Sequence, residues 1–359
     1  MKKIKKKIIF FTGSRSDYFI LNEVVKKIIM FKKIETSIYI SGMHSLKEYG
    51  ETKKDIRRYK NLKQVRTIKV YDGKNDYSLT NFIVILKKIS IFLKIDNPDC
   101  IYILGDRFES MAASLAAYFL HIPIIHSGGG DVTLGSKDNI YRSIISSVSK
   151  IIFATSQKSF KTLKKIKFSS KIIFTGSPIV QKIYDFKKKK NLLKLNNFAL
   201  MTFHPATNSK EKVGDLMKMT IKYLIQKGIK IVITYPNNES GSENILKIIS
   251  EYSNNKDVII FKNLSENYFN YLSKSLFLIG NSSSGIFEAP YFNKPFINIG
   301  SRQKNRETDS NVFSTGTSFV KVKKNINKFS KPHNINNNKI FGDKNSVNRQ
   351  LKEIFNYLK

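Results

Sequence analysis

Short runs of consecutive apolar residues recur along the chain, separated by longer stretches in which apolar positions return every three or four residues. In the first half the runs are KIIFFT (7–12), TSIYI (36–40), CIYILG (100–105), IPIIH (122–126), IIFAT (151–155) and KIIFT (171–175). Runs of this length without polar alternation predict strands buried on both faces, as in a parallel sheet. Helical spacing fills 17–32, 78–94, 107–120 and 137–149. The second half repeats the scheme with FALMTF (198–203), IKIVITY (229–235), DVIIF (257–261), SLFLIG (275–280) and PFINIG (295–300). Its helix-like stretches lie near 209–227, 242–252, 265–274 and 284–292, and NSVNRQLKEIFNYLK (345–359) opens with cap-type residues and predicts a closing helix.

Strand, helix, strand in repetition predicts doubly wound α/β sheets. The pattern weakens at DFKKKKNLLKLNN (185–197), with four consecutive lysines, which is the expected linker. The expected organisation is two Rossmann-like domains, 1–185 and 186–343, facing each other across a cleft. A C-terminal helix, 344–359, is expected to pack back on the first domain.

Composition changes this picture little. With 41% hydrophobic residues among 359, the chain can bury sizeable cores. The net charge of +36 resembles a nucleic-acid binder, yet only nine of the 63 basic residues are Arg and the lysines are spread throughout. Nucleic-acid recognition concentrates charge and favours Arg for bidentate contacts, so no nucleic-acid partner is expected. The basic start MKKIKKK precedes an apolar run too short for a signal-peptide core, and no window approaches a membrane span. A soluble, cytoplasmic protein with no membrane partner is expected. Cys100 is the single cysteine, which excludes an internal disulfide framework and a cysteine zinc cluster; in CIYIL it reads as a buried thiol.

In open α/β sheets ligands bind at the carboxyl ends of the strands, so the chemistry is sought just after each apolar run. TGSRSDY (12–18) offers Arg15 for a phosphate, and Asp17 either to cap a helix or to bind sugar hydroxyls. His44 falls on a loop in SGMHSLKEYG, where it is either structural or part of a site. In GDRFES (105–110), Asp106 and Arg107 stand at a strand end, as an acid held ionised by its neighbour or as an ordinary cap, while Glu109 is expected on the helix surface. HSGGGD (126–131) joins three glycines to Asp131, with Asp138 following at the start of a helix; the two acids either handle protons or turn and cap the chain. His204 and Asn237 close two strands of the second half. IGNSSSGIFEAP (279–290) sets Ser282 and Ser283 at a helix start, suited to phosphate, and Glu288 within reach of ribose hydroxyls. Arg302 and Arg306 follow another strand and suit a phosphate clamp.

Taken together and in order, TGSRSDY, GMHSLKEYGET, GDRFE, GGDVTLGSKDNIYR, GSP, FHP, YPNNESGSE, IGNSSSGIFEAP, NIGSRQKNRE and FGDKNSVNRQLKEI resemble the hydrolysing UDP-N-acetylglucosamine 2-epimerase family. The resemblance runs nearly end to end. It implies a two-domain fold of the glycosyltransferase-B type. The implied activity converts a UDP- or GDP-linked 2-acetamido sugar and water to a free N-acetylmannosamine-type sugar and nucleoside diphosphate. The implied chemistry removes the C2 proton, expels the diphosphate to give a glycal, and adds water with inversion at C2. The resemblance also implies that Arg15, His204, Asn237, Ser282, Ser283, Glu288 and Arg302 hold the nucleotide, and that Asp17, His44 and Arg107 lie near the sugar. It implies Asp106 and Asp138 as catalytic acids, a homo-oligomer, and no cofactor or metal.

One departure stands out. The family usually carries His-x-Glu-Gly-Gly-Glu where this chain has HSGGGD, so Gly128 replaces the first glutamate and Asp131 the second. The missing proton chemistry then moves to Asp131 or Glu109, or the substrate differs, or activity is lost. A glycosyltransferase of the same fold and a catalytically impaired nucleotide-sugar-binding protein remain the alternative readings.

Overall fold

The computed structural model describes residues 5–45, 56, 59–69, 79–133, 137–205, 211, 213–237, 241–333 and 335–359. Parts of several quoted motifs (46–52, 134–136, 206–208 and 238–240) and the start of the helix expected at 209–227 lie outside the described residues. The chain divides into two compact units: Met1–Val132, Asp138–Lys182 and Phe341–Lys359 form the first, Thr133–Lys137 and Ile183–Ile340 the second.

The first unit alternates β1 (Lys6–Thr12), α1 (Arg15–Ile28), β2 (Ile34–Ile40), β3 (Gln64–Thr67), α2 (Leu79–Asp96), β4 (Cys100–Leu104), α3 (Phe108–Phe119), β5 (Ile124–Gly129), α4 (Asp138–Ser147), β6 (Ile151–Ala154), α5 (Gln157–Ile166) and β7 (Lys171–Phe174). All its strands are parallel, in the order β3-β2-β1-β4-β5-β6-β7. Alternate residues of β1, β2 and β4 feed two separate cores. Ile8, Phe10, Ile38, Ile40 and Tyr102 pack on one face with α1, whereas Ile9, Phe11, Tyr39, Ile101 and Ile103 pack on the other with α2 and α3. Each such side chain contributes about 1.5–3 kcal/mol by leaving water, which is why these strands read as unbroken apolar runs. Cys100 is buried in the first of these cores, its thiol pushed upward by burial.

The second unit contains β8 (Phe198–Thr202), α7 (Val213–Gln226), β9 (Lys230–Thr234), α8 (Ser242–Ser250), β10 (Val258–Phe261), α9 (Tyr268–Lys274), β11 (Leu278–Gly280), α10 (Ser284–Phe287), β12 (Phe296–Ile299), β13 (Val312–Gly316) and α11 (Phe319–Phe329). Its parallel strands run β10-β9-β8-β11-β12-β13. Ala199, Met201, Ile231, Ile233 and Ile297 share a core with α7, α8 and α11. Before it comes α6 (Pro178–Lys187), within which the division between units falls. The expected linker therefore begins inside a helix, and only 188–197 lacks regular structure.

The last helix, α12 (Ser346–Leu358), returns to the first unit. Val347, Leu351, Ile354 and Leu358 recur at helical spacing and join the core that holds Leu21, Val24, Val25 and Ile28 of α1. Its buried Gln350 accepts from Tyr102 Oη at 2.7 Å and donates to Ser127 Oγ at 3.2 Å and Thr175 Oγ1 at 3.1 Å.

Two strands and three helices escape the sequence pattern. β3 and β13 are edge strands, and β3 has no fully buried side chain, so no apolar run marks it. α5, α6 and α11 carry lysines around narrow apolar stripes such as Val322, Ile326 and Phe329. Among the described residues no helix is long and apolar enough to cross a membrane.

Candidate active site

Both sheets share one topology, and in each the strand order reverses once, between β1 and β4 and between β8 and β11. Such reversal points, at the carboxyl ends of the strands, are where an open α/β sheet leaves room for a ligand. The sequence-selected residues gather at both.

In the first unit, Ser14 caps α1 by accepting from Asp17 N at 3.2 Å. Asp17 is therefore not the cap, and its carboxyl turns toward the end of β4. There Arg107 Nε lies 3.3 Å from Glu109 Oε2 and 3.8 Å from Asp17 Oδ2. Glu109 was expected on the helix surface; it is fully buried, against the space over Gly13 and Gly42. α3 buries its first turn as well as its flank, which helical spacing alone does not reveal. Burial pushes Asp17 up to about 6, with Glu109 and Asp138 adding to the effect and Arg107 and Ser14 opposing it. Asp106 does not cap α3, whose N-cap is Arg107 without a side-chain bond; it pairs with the buried Arg142 of α4. Arg142 also donates to Asp131 O at 2.8 Å. Asp138 opens α4, so the same helix supplies an acid and, one turn later, the cation that holds Asp106.

Asp131, His44 and His126 are anchored to hydroxyls and backbone of the first unit. Asp131 Oδ1 accepts from Ser159 Oγ at 2.5 Å and Thr155 Oγ1 at 3.1 Å, toward the start of α5. His44, on a short 3-10 turn (Gly42–Ser45), is buried with Nε2 3.0 Å from Thr12 Oγ1. Burial, then the Arg107 charge, lower it to about 3, so it is neutral. His126 Nε2 donates to Gly105 O at 2.8 Å, which leaves Nδ1 to accept from Ser146 Oγ at 3.0 Å. Burial lowers it to about 4. Arg15 opens α1 and is partly exposed.

In the second unit the reversal point is bridged by Asn281, fully buried. Its Oδ1 accepts from His204 N at 2.7 Å, its Nδ2 donates to His204 O at 2.9 Å, and its own carbonyl accepts from Gln303 Nε2 at 2.8 Å. Asn237 N donates to His204 Nδ1 at 3.2 Å, so the imidazole proton sits on Nε2. Tyr268 Oη donates to Ser284 Oγ at 2.7 Å, and Ser284 Oγ donates to Ser282 Oγ at 3.2 Å. The helix expected over 284–292 is instead α10 followed by a 3-10 turn, Ala289–Phe292, with Pro290 ending the α-helical hydrogen bonding. Ser283 is its N-cap residue and makes no side-chain cap bond. Glu288 stands at the junction, buried, with Oε2 accepting no hydrogen bond. Burial pushes it up to about 7, opposed by its own backbone N–H and by Arg306. Arg302 is buried beside Gln303, and Arg306 lies over the Phe287 ring at 4.8 Å.

Two acid-bearing reversal points built this way suit a sugar nucleotide, and the chain matches the UDP-N-acetylglucosamine 2-epimerase family model over residues 26–355. It belongs to that family. The hydrolysing UDP-N,N'-diacetylbacillosamine 2-epimerase of Legionella pneumophila subsp. pneumophila is 30% identical over 327 residues, 88% of this chain and 86% of the relative. The hydrolysing GDP/UDP-N,N'-diacetylbacillosamine 2-epimerase of Campylobacter jejuni subsp. jejuni is 29% identical over 326 residues, covering 87% and 84%. The fold is shared with the Neisseria meningitidis UDP-GlcNAc 2-epimerase solved with UDP-GlcNAc, at a TM-score of 0.81, 18% identity, and coverage of 98% and 100%. It is shared too with the Methanocaldococcus jannaschii UDP-GlcNAc 2-epimerase, at 0.83, 17% identity, and coverage of 98% and 99%.

For a UDP-N-acetylglucosamine 2-epimerase, the three glycines of HSGGGD now separate. A Cβ on Gly129 would meet Ile152 Cγ2 at 2.5 Å, and one on Gly130 would meet Ser159 O at 2.4 Å, so packing demands both. Gly128 differs. It sits at a bulge between Ser127 and Gly129 with φ +96°, and a Cβ there would meet nothing closer than Gly105 at 3.8 Å. Backbone conformation, not crowding, favours glycine at the position where the family usually has glutamate.

Sequence reasoning passed over Arg142, Asn281, Gln303 and Tyr268. Arg142 had a signal, since it lies four residues after Asp138 and so on the same helix face. Asn281 directly follows a strand-end glycine in the motif already singled out.

Proposed function

We propose that this chain is a hydrolysing nucleotide-sugar 2-epimerase that converts a UDP-linked 2-acetamido sugar and water to the free manno-configured sugar and UDP. The carrying observation is the acid set at the β1/β4 reversal point, with Asp106 paired to Arg142, Asp17 and Glu109 beside Arg107, and Asp138 close enough to act on Asp17. Elimination at an unactivated C2 needs a base, and a carboxylate is one; Asp106, held by the buried Arg142, takes this role, and Asp138 assists proton transfer. Asp131, with one oxygen committed to two hydroxyls, shapes the turn after β5. Arg107 and His44 position the sugar.

The second unit holds the nucleotide. Glu288 takes the ribose hydroxyls, which would supply the hydrogen bonds its Oε2 lacks. Ser282, Ser283, His204 Nε2–H and Arg302 take the diphosphate, with Arg15 and Asn237 contributing, and stabilise it as it leaves. The names of the Legionella and Campylobacter relatives support a donor with a second acetamido group. Glycine at 128, where the family usually has glutamate, fits such a substrate change. The enzyme works as a homo-oligomer in the cytoplasm.

The test is turnover of UDP- and GDP-linked 2-acetamido and 2,4-diacetamido sugars in deuterated water, followed by NMR. A free manno-configured sugar carrying deuterium at C2 is the expected product. Nucleoside diphosphate released only with a sugar acceptor would make the chain a transferase. Donor binding without turnover would make it a binding protein.

A further inference from the structure

Beside the second reversal point, hydroxyls of two helices form a chain whose last proton has no acceptor. Tyr268, the first residue of α9, donates from Oη to Ser284 Oγ at 2.7 Å. Ser284, the first residue of α10, donates from Oγ to Ser282 Oγ at 3.2 Å and from its backbone N–H to the same oxygen at 3.4 Å. A serine hydroxyl carries one proton and two lone pairs. Ser284 commits its proton to Ser282, and both bonds at Ser282 Oγ are accepted ones. The Ser282 proton therefore has no acceptor among the described residues. Ser282 is partly exposed, two residues past the end of β11, where the strand order reverses.

The direction of the chain follows from its first member. A phenol is a stronger acid than an aliphatic alcohol, so Tyr268 is the better donor of the pair. Desolvation, then the nearby Glu288 charge, push the phenol upward, so it keeps its proton across the ordinary pH range. Each bond of such a chain polarises the next, which makes the terminal Ser282 O–H a stronger donor than a lone serine. With both lone pairs of Ser282 Oγ occupied, that oxygen can offer an incoming group only a proton. A phosphate oxygen, which only accepts, fits this end of the chain.

We propose that Tyr268 is a positioning residue for the nucleoside diphosphate, turning the Ser282 hydroxyl through Ser284 so that its proton faces a phosphate oxygen. The inference rests on the epimerase reading above, in which Ser282 holds the diphosphate, and adds a source of orientation on another helix. No proton changes owner; the chain fixes only which way each hydroxyl points. Without the phenol, Ser284 Oγ loses its donor and can accept from Ser282 instead, which turns the Ser282 proton inward.

The test measures UDP affinity by calorimetry and uridine affinity by ligand-observed NMR, for the wild type, Tyr268→Phe, Ser284→Ala and the double variant. Tyr268→Phe is expected to weaken UDP about 10-fold, as for the loss of one hydrogen bond to a charged group, while uridine stays within about twofold. Ser284→Ala is expected to do the same, and the double variant to lose no more than either alone, because both act through one chain. UDP affinity of Tyr268→Phe within about twofold of the wild type overturns the proposal. So does an equal loss for uridine, since the phenol would then support the base, the ribose or the fold. Losses that add in the double variant overturn it as well. If the melting curve shows Tyr268→Phe unfolded, Ser284→Ala decides on the same two ligands: a loss confined to UDP supports the chain, and any other result overturns it. A wild type that binds no UDP would sink the epimerase reading itself, and the inference with it.

Discussion

At the carboxyl end of the seven-stranded sheet, Asp17 and Glu109 flank Arg107, Asp106 pairs with Arg142, and Asp138 adds its charge near Asp17. At the matching place in the six-stranded sheet, Glu288 stands among hydroxyls and amides, and His204 is fixed through Asn281. The same topology thus carries two electrostatic designs. The first crowds carboxyls near one another, and burial raises Asp17 among them. The second fixes His204 through Asn281, and Glu288 is buried there, countered by Arg306. On the proposed reading, proton chemistry and anion holding belong to different sheets.

The largest expected effect falls on the first design alone. Asp106→Asn should lower turnover about 10³-fold or more while UDP affinity, measured by calorimetry, stays within a few-fold. A fully active variant would remove Asp106 from the chemistry. The converse is Glu288→Gln, expected to weaken UDP binding about 10- to 100-fold through the loss of charge-assisted hydrogen bonds, with the elimination step little changed once UDP-sugar saturates. Unchanged UDP affinity would dissolve the division of labour.

Arg142→Gln tests whether Asp106 depends on its partner. Breaking a pair in which the cation is buried should cost about 3 kcal/mol, visible in urea melts, and should reduce kcat more than it raises KM. Equal stability would mean that the pair contributes nothing.

The two raised carboxyls allow a pH test common to both sheets. Asp17 rises from 3.8 to about 6 and Glu288 from 4.5 to about 7, each by burial. A carboxyl with its folded pKa above the unfolded value binds more protons when native, so stability falls as pH rises through that window. Asp17→Asn and Glu288→Gln should therefore melt higher than the wild type at pH 8, by at most about 3 kcal/mol each, and gain nothing at pH 4. A gain that is the same at both pH values would assign the effect to something other than charge.

The smallest effect concerns the glycines. Gly128→Ala should cost about 1 kcal/mol for a left-handed backbone in open space, less than Gly129→Ala or Gly130→Ala, whose Cβ atoms collide with Ile152 and Ser159. Equal losses in thermal melts would contradict the distinction.

The sequence carries both sheets clearly where strands are buried on two faces, as in KIIFFT and CIYILG. It carries them poorly at the edges, where QVRT pairs with one neighbour and keeps its polar residues. Strand ends singled out the candidate residues because a parallel sheet puts loops there. What spacing could not show was depth. Glu109 was expected outside because it is charged and early in a helix, yet Gly13 and Gly42 make room for it. Nor could spacing show partnership, since Arg142 and Asp106 are 36 residues apart and meet only when α4 packs beside the end of β4.

The return of α12 to the first unit orders the events of synthesis. The second unit's long segment, Ile183–Ile340, is a single stretch, whereas the first unit lacks part of its core until 341–359 has been made. Gln350 then ties that late segment to Ser127, the neighbour of Gly128. On a ribosome, where domains tend to fold as units in the order they emerge, the six-stranded sheet can mature while the seven-stranded one waits. The nucleotide-holding half would be ready first, and the acid set would acquire its full support only when the final helix closes.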